Sequence, residues 1–416
     1  MSVMEVCRRA ADATAVLRQL STKVKNQVLH EMADELDASR DQLKKVNAHD
    51  VEAARQAETS GTLVDRLTLT DSRISAMVAA VRTIAALPDP VGEVVNGWTR
   101  PNGLLIERVR EPLGVVAVIY EARPNVTADV AALCLKSGNC AILRGSSMAM
   151  QTNTAIMEVL GAVLDRHESL PNSAVQLIED PSREAALELM QATEYVDLLV
   201  PRGGPALIKS IEENATVPTV IDGDGNCHLY IDASADLEMA TDVTINAKTS
   251  RPSVCNAIET LLVHERLAET WLPQVLDRLH EKGVEIRGSK QVIHAWPRAV
   301  PATDSDWGTE YLDLVLTVGV VNDVDEAIAH INRWGTSNAE GIIAQDIDVA
   351  RKFARAIDSG SVFVNTSTRF SDGGEFGYGV EIGVSTQKLH VRGPMGLEAL
   401  TTVKNLVWGD GQVRIV

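Results

Sequence analysis

The sequence predicts an α/β protein built from two doubly wound domains, on three observations. From Gly114 onward, short β-rich apolar runs alternate with helical stretches over short connections, the pattern of a parallel sheet covered by helices. After Asp232 a second series of the same kind begins. Residues 1 to about 90 instead place apolar residues at helical spacing throughout and lack strand-like alternation.

Taken in order, the helical lead-in breaks at LPDPVGEVVNGW, where Pro88, Pro90 and Gly92 fall together. Leu104 to Gly114 alternates apolar and charged residues and reads as a solvent-facing or edge strand. GVVAVIYEA is continuous enough for a strand buried on both faces. The helix from Val126 to Ser137 ends at Gly138, a residue suited to left-handed geometry. Strand CAILRG, a helix over about 147 to 165, strand AVQLIE, helix SREAALELM, strand VDLLVP, helix PALIKSIEENA and strand TVPTVID follow. The second series runs through helix Leu237 to Ser250, strand AIETLLVH, helix 266 to 282 and strands VEIRG and LDLVLTVGVV. It continues with helix Asp325 to Trp334, strand GIIAQD, helix 346 to 358 and strand SVFVNT. The tail from Gly373 is glycine-rich and ends in another strand candidate, LTTVKNLVWGDGQVRIV. Sheets of this kind take ligands at the carboxyl ends of their strands.

The formal charge of -18 excludes nucleic acid and anionic membranes as expected partners, because both need clustered Lys and Arg. It leaves room for an anionic substrate held by local arginines and helix N-termini. With 45% hydrophobic but only 4% aromatic residues, the core must come from Ala, Val, Leu and Ile. No run approaches the roughly 18 apolar residues of a membrane span, and the first 20 residues read as an amphipathic helix rather than a signal peptide. Five cysteines, an odd number without a CxxC pair, point to free thiols in a reducing compartment and hence to a cytoplasmic location. His264 beside Glu265 is not a metal motif, and no metal is expected.

Three segments carry chemistry. In KTSRPSVCNAIETLLVH, Cys255 lies in a turn flanked by Pro252, Ser253 and Arg251. Cys134 and Cys140 sit inside apolar patterns, as buried thiols do. A nucleophilic cysteine needs a partly exposed, electropositive setting, which Arg251 and nearby helix dipoles would supply. In YEARPNVTADVAALCLKSGNCAILRGSS, Asn125 stands where a strand gives way to a helix, either as an N-cap or as an amide donor to an oxyanion. Arg144, Gly145, Ser146 and Ser147 form a small, cationic strand end able to receive phosphate. In VPRGGPALI, Gly203 and Gly204 open a helix after a strand, as a plain turn or as a close approach to an anion. The GxGxxG fingerprint and the GxxxxGK[ST] phosphate loop are both missing.

Together these segments resemble the γ-glutamyl phosphate reductases of the aldehyde dehydrogenase superfamily. The resemblance spans essentially the whole chain and is densest in YEARPNVTADVAALCLKSGN, VPRGGPALI, GNCHLYID and RPSVCNAIETLLVH. It extends to EYLDLVLTVGVV and VNTSTRFSDGGEFGYGVEIGVSTQKLHVRGPMGLEALTTVK. It implies an aldehyde dehydrogenase-like fold: a cofactor domain over 1–233, interrupted near 100–112 by an oligomerisation strand, a catalytic domain over 234–372, and a return over 373–416. Leu104 to Arg110 and Thr401 to Val416 would form a β-hairpin arm that builds a homo-oligomer.

By the same resemblance, Cys255 is the nucleophile and Asn125 stabilises the oxyanion. Arg144, Gly145 and Ser147 fall at the adenosine ribose and its 2′-phosphate, which favours NADPH. Gly203 and Gly204 fall at the diphosphate, and Glu310 at the nicotinamide ribose. The implied reaction is the second step of proline synthesis from glutamate: reduction of γ-glutamyl phosphate to glutamate-5-semialdehyde through a cysteinyl thioester. Arg123, Arg251 and Arg369 are candidates for the substrate carboxylate and Glu121 for its ammonium. Because acyl phosphates hydrolyse readily, transient contact with glutamate 5-kinase is expected. Two positions depart from the family pattern: Asp222 replaces a Glu and Asn338 a His. A broad aldehyde dehydrogenase and a silent scaffold homologue are the rival readings.

Overall fold

The computed structural model describes residues 1–221 and 223–414. The chain forms two compact units, Met1–Ile221 with Gly377–Gly383 and Met395–Val416, and Asp222–Phe376 with Val384–Pro394.

The first unit opens with five helices, α1 (Val3–Leu17), α2 (Thr22–Ala38), α3 (Arg40–Gln56), α4 (Gly61–Leu67) and α5 (Asp71–Ala86). Their starts are written in the sequence. Ser2, Ser21, Ser60 and Thr70 are N-caps whose hydroxyls accept from the N–H three residues on. On α2, Val28, Leu29, Met32, Ala33 and Leu36 form a buried stripe at helical spacing. Next come β1 (Val94–Thr99), β2 (Leu105–Pro112), β3 (Val115–Tyr120), α6 (Asn125–Lys136), β4 (Cys140–Gly145) and α7 (Met150–Leu164). The series ends with β5 (Val175–Leu177), α8 (Arg183–Met190), β6 (Leu198–Arg202) and α9 (Pro205–Asn214). Every residue of β3 is buried, as its uninterrupted apolar run requires. The parallel sheet has the order β5-β4-β3-β6. Its direction of growth reverses between β3 and β6, and at such a switch point the carboxyl ends of two strands frame a crevice.

The second unit contains β7 (Cys227–Ile231), α10 (Leu237–Thr249), β8 (Ile258–His264), α11 (Leu272–Glu281), β9 (Glu285–Gly288) and α12 (Lys290–Ala295). It continues with β10 (Val300–Pro301), β11 (Val315–Val321), α13 (Val324–Trp334), β12 (Ala339–Ile343), α14 (Ile347–Ala356) and β13 (Ser361–Val364). Its seven-stranded sheet has the order β10-β9-β11-β8-β7-β12-β13, and its strands pair in parallel. A short antiparallel pair, β14 (Val384–Ser385) and β15 (Gly393–Pro394), belongs to the same unit. The chain then returns to the first unit as β16 (Thr401–Trp408).

Four sequence expectations need correction. The boundary drawn at 233 falls too late, because β7 pairs with β8 and β12 in the second unit's sheet. The described part of TVPTVID, residues 216–221, forms no strand and meets β6 through one bridge, Leu199 to Thr219. The helix expected over 266 to 282 is a 3-10 turn at Glu265–Leu267 followed by α11. The segment read as a solvent-facing or edge strand, β2, is largely part-exposed but is not an edge: it is the centre of a three-stranded antiparallel sheet between β1 and β16. No helix among the described residues is long and apolar enough to cross a membrane.

Candidate active site

The site residues fall into two sets, one in each unit. In the first unit, β3 ends at Tyr120 and the chain turns through Ala122, whose φ of 28° is strained for a non-glycine residue. Asn125 then opens α6. Its side chain is exposed and is not an N-cap; the amide Nδ2 donates to Asp129 Oδ2 at 2.8 Å, one turn along. The helix itself is anchored from behind. Tyr120 Oη and Thr127 Oγ1 lie 2.7 Å apart, and Thr127 Oγ1 donates to Asn153 Oδ1 at 3.2 Å. Gly145 has a packing reason: a Cβ there would come within 2.1 Å of Asn153 Nδ2.

At the end of β4, half-buried Arg144 donates from Nη2 to the carbonyls of Pro181 at 2.6 Å and Ser182 at 2.9 Å. Its Nε is buried without a partner, and burial pushes the guanidinium below its ordinary value. Ser147 is exposed and starts a 3-10 turn. At the end of β6, Gly204 caps α9. Glu121, a candidate for the substrate ammonium, accepts from the Gly204 N–H at 2.9 Å. A Cβ on Gly203 would sit 2.7 Å from Glu121 Cδ and from Leu207 Cδ2, so this turn needs glycine. Arg123 is exposed.

In the second unit, Cys255 lies in the turn between α10 and β8. It is half-exposed, whereas Cys7, Cys134, Cys140 and Cys227 are buried. Burial pushes Cys7 up to about 11 and Cys140 up to about 12, and raises Cys134 and Cys227 as well. None of those four is available as thiolate near neutrality. Backbone packing holds the Cys255 turn. Cys227 Sγ donates to the Cys255 carbonyl at 3.1 Å, and a Cβ on Gly225 would lie 2.0 Å from that same oxygen. On the far side Thr368 Oγ1 donates to the Asn256 carbonyl at 2.7 Å, and Asn256 Nδ2 donates to the Ser371 carbonyl at 3.0 Å.

Those contacts bring Arg369 alongside the thiol. Its Nε donates to Ser250 Oγ at 3.2 Å. Its guanidinium is pushed down by burial and by the adjacent Arg251, and pulled back by Asp372 and the Cys255 and Cys227 thiols. One cationic group, Arg369, therefore interacts with Cys255, and Arg251 acts on Arg369. The helix dipole does not contribute in the way expected, because the turn follows the C-terminus of α10, the negative end. Glu310 is half-buried and lies close enough to Cys227 to help raise that thiol. Asn338 is fully buried, and its carbonyl accepts from Ser361 N at 3.1 Å. Asp222 lies outside the described residues. Those residues contain no group of three or more His, Cys, Asp and Glu able to hold a metal.

Sequence reasoning missed Asp129, Gly225 and the buried pair Lys248–Glu259, whose Nζ and Oε2 are 2.5 Å apart beneath the Cys255 turn. The pair did leave a signal: a Lys and a Glu inside otherwise apolar helix and strand patterns need each other.

The chain matches the aldehyde dehydrogenase family over residues 1–287 and 300–406. It is 51% identical over 407 residues to the gamma-glutamyl phosphate reductase of Moorella thermoacetica, covering 98% of this chain and 97% of that one. It is 49% identical over 414 residues to the enzyme of the same name from Geobacillus thermodenitrificans, covering 100% and 99%. The crystal structure of gamma-glutamyl phosphate reductase from Thermotoga maritima superposes with a TM-score of 0.97 at 46% identity, with 100% of both chains covered. An acetylating aldehyde dehydrogenase from Geobacillus thermoglucosidasius shares the fold, with a TM-score of 0.69 at 17% identity. The chain belongs to the aldehyde dehydrogenase family and, within it, to the gamma-glutamyl phosphate reductases.

Proposed function

We propose that this chain reduces γ-glutamyl phosphate to glutamate-5-semialdehyde and phosphate with NADPH, through a thioester on Cys255, as the second step of proline synthesis from glutamate. The observation that carries the reading is the Arg369 guanidinium, which interacts electrostatically with the half-exposed Cys255 thiol and with neighbouring Arg251. A cation there favours thiolate, and the two arginines attract a substrate that carries both phosphate and carboxylate. Near-50% identity to reductases of that name over the full chain supports the substrate.

The thiolate of Cys255 attacks the acyl carbon, the bond from carbon to the phosphate oxygen breaks, and phosphate leaves with the electron pair. An activated acyl group passes to sulfur without any general base to activate water. The Asn125 amide donates to the oxyanion, and loss of one such donor costs about 3 to 4 kcal/mol in comparable sites. Arg251 and Arg369 hold the anionic groups, while exposed Arg123 is a further candidate.

The residues present fit a dinucleotide. Arg144 keeps a buried Nε without a partner, and Gly203 leaves no room for a Cβ. Arg144 and Ser147 would hold the adenosine ribose and its 2′-phosphate, the Gly203–Gly204 backbone the diphosphate, and Glu310 the nicotinamide ribose. When bound, reduced nicotinamide supplies the hydride that converts the thioester to the aldehyde.

We further propose that β1, β2 and β16 form the arm of a homo-oligomer, since Trp98, Leu105, Val407 and Trp408 are exposed on it.

The test runs the reaction backwards with pyrroline-5-carboxylate, phosphate and NADP⁺, following absorbance from NADPH. Phosphate-dependent NADPH formation, lost in Cys255→Ala, is expected. Turnover that ignores phosphate would assign a hydrolytic aldehyde dehydrogenase instead. No turnover from folded wild type, with either nicotinamide cofactor, would overturn the reading.

A further inference from the structure

We infer that Asp129 is the positioning residue that turns the Asn125 amide so that its N–H, rather than its oxygen, faces the developing oxyanion. The inference rests on the activity proposed above and names a residue to which that reading gives no role.

A carboxamide has two nearly isosteric ends, and they do opposite things at an oxyanion: the N–H stabilises it, and the carbonyl oxygen repels it. Asn125 is exposed and sits at the first turn of α6, where little packing fixes its terminal torsion. Something must choose the orientation. Asp129 is one helical turn further on, on the same face, and its Oδ2 accepts from Asn125 Nδ2 at 2.8 Å. An ionised carboxylate can only accept, so it selects the nitrogen end. The amide nitrogen carries two hydrogens. One is spent on Asp129, and the other stays free for substrate.

The details around Asp129 do not suit a plain ion or amide pair on a solvated helix face. The residue is half-buried, and its Oδ1 is shut from solvent without a hydrogen-bond partner. A buried, half-satisfied carboxyl is a cost to the fold. Burial raises its pKa to about 6, against the pull of Asn125 and of Arg202 at the end of β6. Arg202 comes from the other strand of the switch point, and its Nη1 lies 3.2 Å from where a Cβ on Gly383 would be. A neutral leucine or alanine would serve the helix better. A carboxylate in that position is explained by what it does to Asn125.

The test is a mutant cycle in the phosphate-dependent reverse assay, with Asn125→Ala, Asp129→Ala, Asp129→Asn and the double variant Asn125→Ala/Asp129→Ala. Asn125→Ala lowers kcat by on the order of 100-fold. Asp129→Ala leaves the amide free to turn, so kcat falls by roughly 10- to 100-fold while KM for either substrate stays within about twofold. The double variant is no slower than Asn125→Ala, because Asp129 acts only through that amide. Asp129→Asn keeps the size and permits either orientation, and its kcat lies between wild type and Asp129→Ala. Unchanged kcat in Asp129→Ala, an effect confined to KM, or losses that multiply in the double variant would overturn the inference while leaving the activity intact. If Asp129→Ala does not fold, the same cycle run with Asp129→Asn decides. A folded wild type without phosphate-dependent turnover would overturn the activity, and this inference with it.

Discussion

The Glu121 carboxylate accepts from the backbone N–H of Gly204 at 2.9 Å, at the start of α9. On the proposed cofactor placement, this carboxylate sits where the diphosphate would bind. It stabilises the positive end of the helix, an effect worth about 0.3–1 kcal/mol, and it opposes a second anion at the same place. Glu121→Gln should tighten NADPH binding by about two- to fivefold, read from the quenching of protein fluorescence. Gly203→Ala should do the reverse, since its Cβ would press on Glu121 and Leu207 at 2.7 Å. Weaker binding in Glu121→Gln would mean that the carboxylate helps to seat the cofactor.

Only one of the five cysteines should react quickly with iodoacetamide near neutral pH. Cys255 is half-exposed, while Cys7, Cys134, Cys140 and Cys227 are buried with raised thiols. Peptide mapping after brief labelling should place the adduct on Cys255, with loss of activity in step. Gly225→Ala should cut kcat by on the order of 100-fold, since its Cβ would fall 2.0 Å from the Cys255 carbonyl oxygen and displace the turn. Normal turnover in that variant would show that the turn tolerates such displacement.

Beneath the same turn, Lys248 and Glu259 form an ion pair with side chains 0% and 1% exposed. Burial pushes Glu259 up to about 7 and Lys248 down; their mutual attraction offsets part of both shifts. Glu259 Oε1 also accepts from Leu312 N at 3.2 Å, which ties the segment carrying Glu310 to β8. Lys248→Met should cost about 3–5 kcal/mol in urea unfolding, because it strands a buried carboxylate. Lys248→Met/Glu259→Leu should recover most of that loss but leave the KM for NADPH raised, since the Leu312 anchor is gone. A double variant as unstable as the single would count against this account.

The parts of the fold that followed from sequence are those in which burial alone sets the pattern. GVVAVIY could only be a strand with both faces covered, and β3 is that strand. TVPTVID carries the same kind of apolar run, but Pro218 has no N–H to give. Its described residues, 216–221, meet β6 through one bridge and form no strand. β1 escaped detection for the opposite reason: all six of its residues are exposed, and only backbone pairing to β2 makes it a strand. Cys255 stood out because turn residues and an arginine flank it. Asp129 did not, because an Asp within a helix usually marks a solvated face, and its bond to Asn125 is visible only in three dimensions.

Asp306 gives the clearest acid-sensitive stabilisation. Burial alone would raise its carboxyl, but bonds from Thr303 Oγ1, the Thr303 N–H, Arg287 and Tyr311 outweigh it and hold the group well below the usual carboxylate range. A depressed folded value means the unfolded chain binds the proton more readily. The stabilisation is therefore fully present above the unfolded value of about 3.9 and is lost as pH falls through the folded one. The urea midpoint of wild type should exceed that of Asp306→Asn at pH 7, and the gap should narrow steadily from pH 4 to pH 3. A gap that stays constant over that range would mean that Asp306 contributes shape rather than charge. The segment it secures runs from Thr303 to Tyr311 and carries Glu310, so a rise in the KM for NADPH should accompany the substitution even at pH 7.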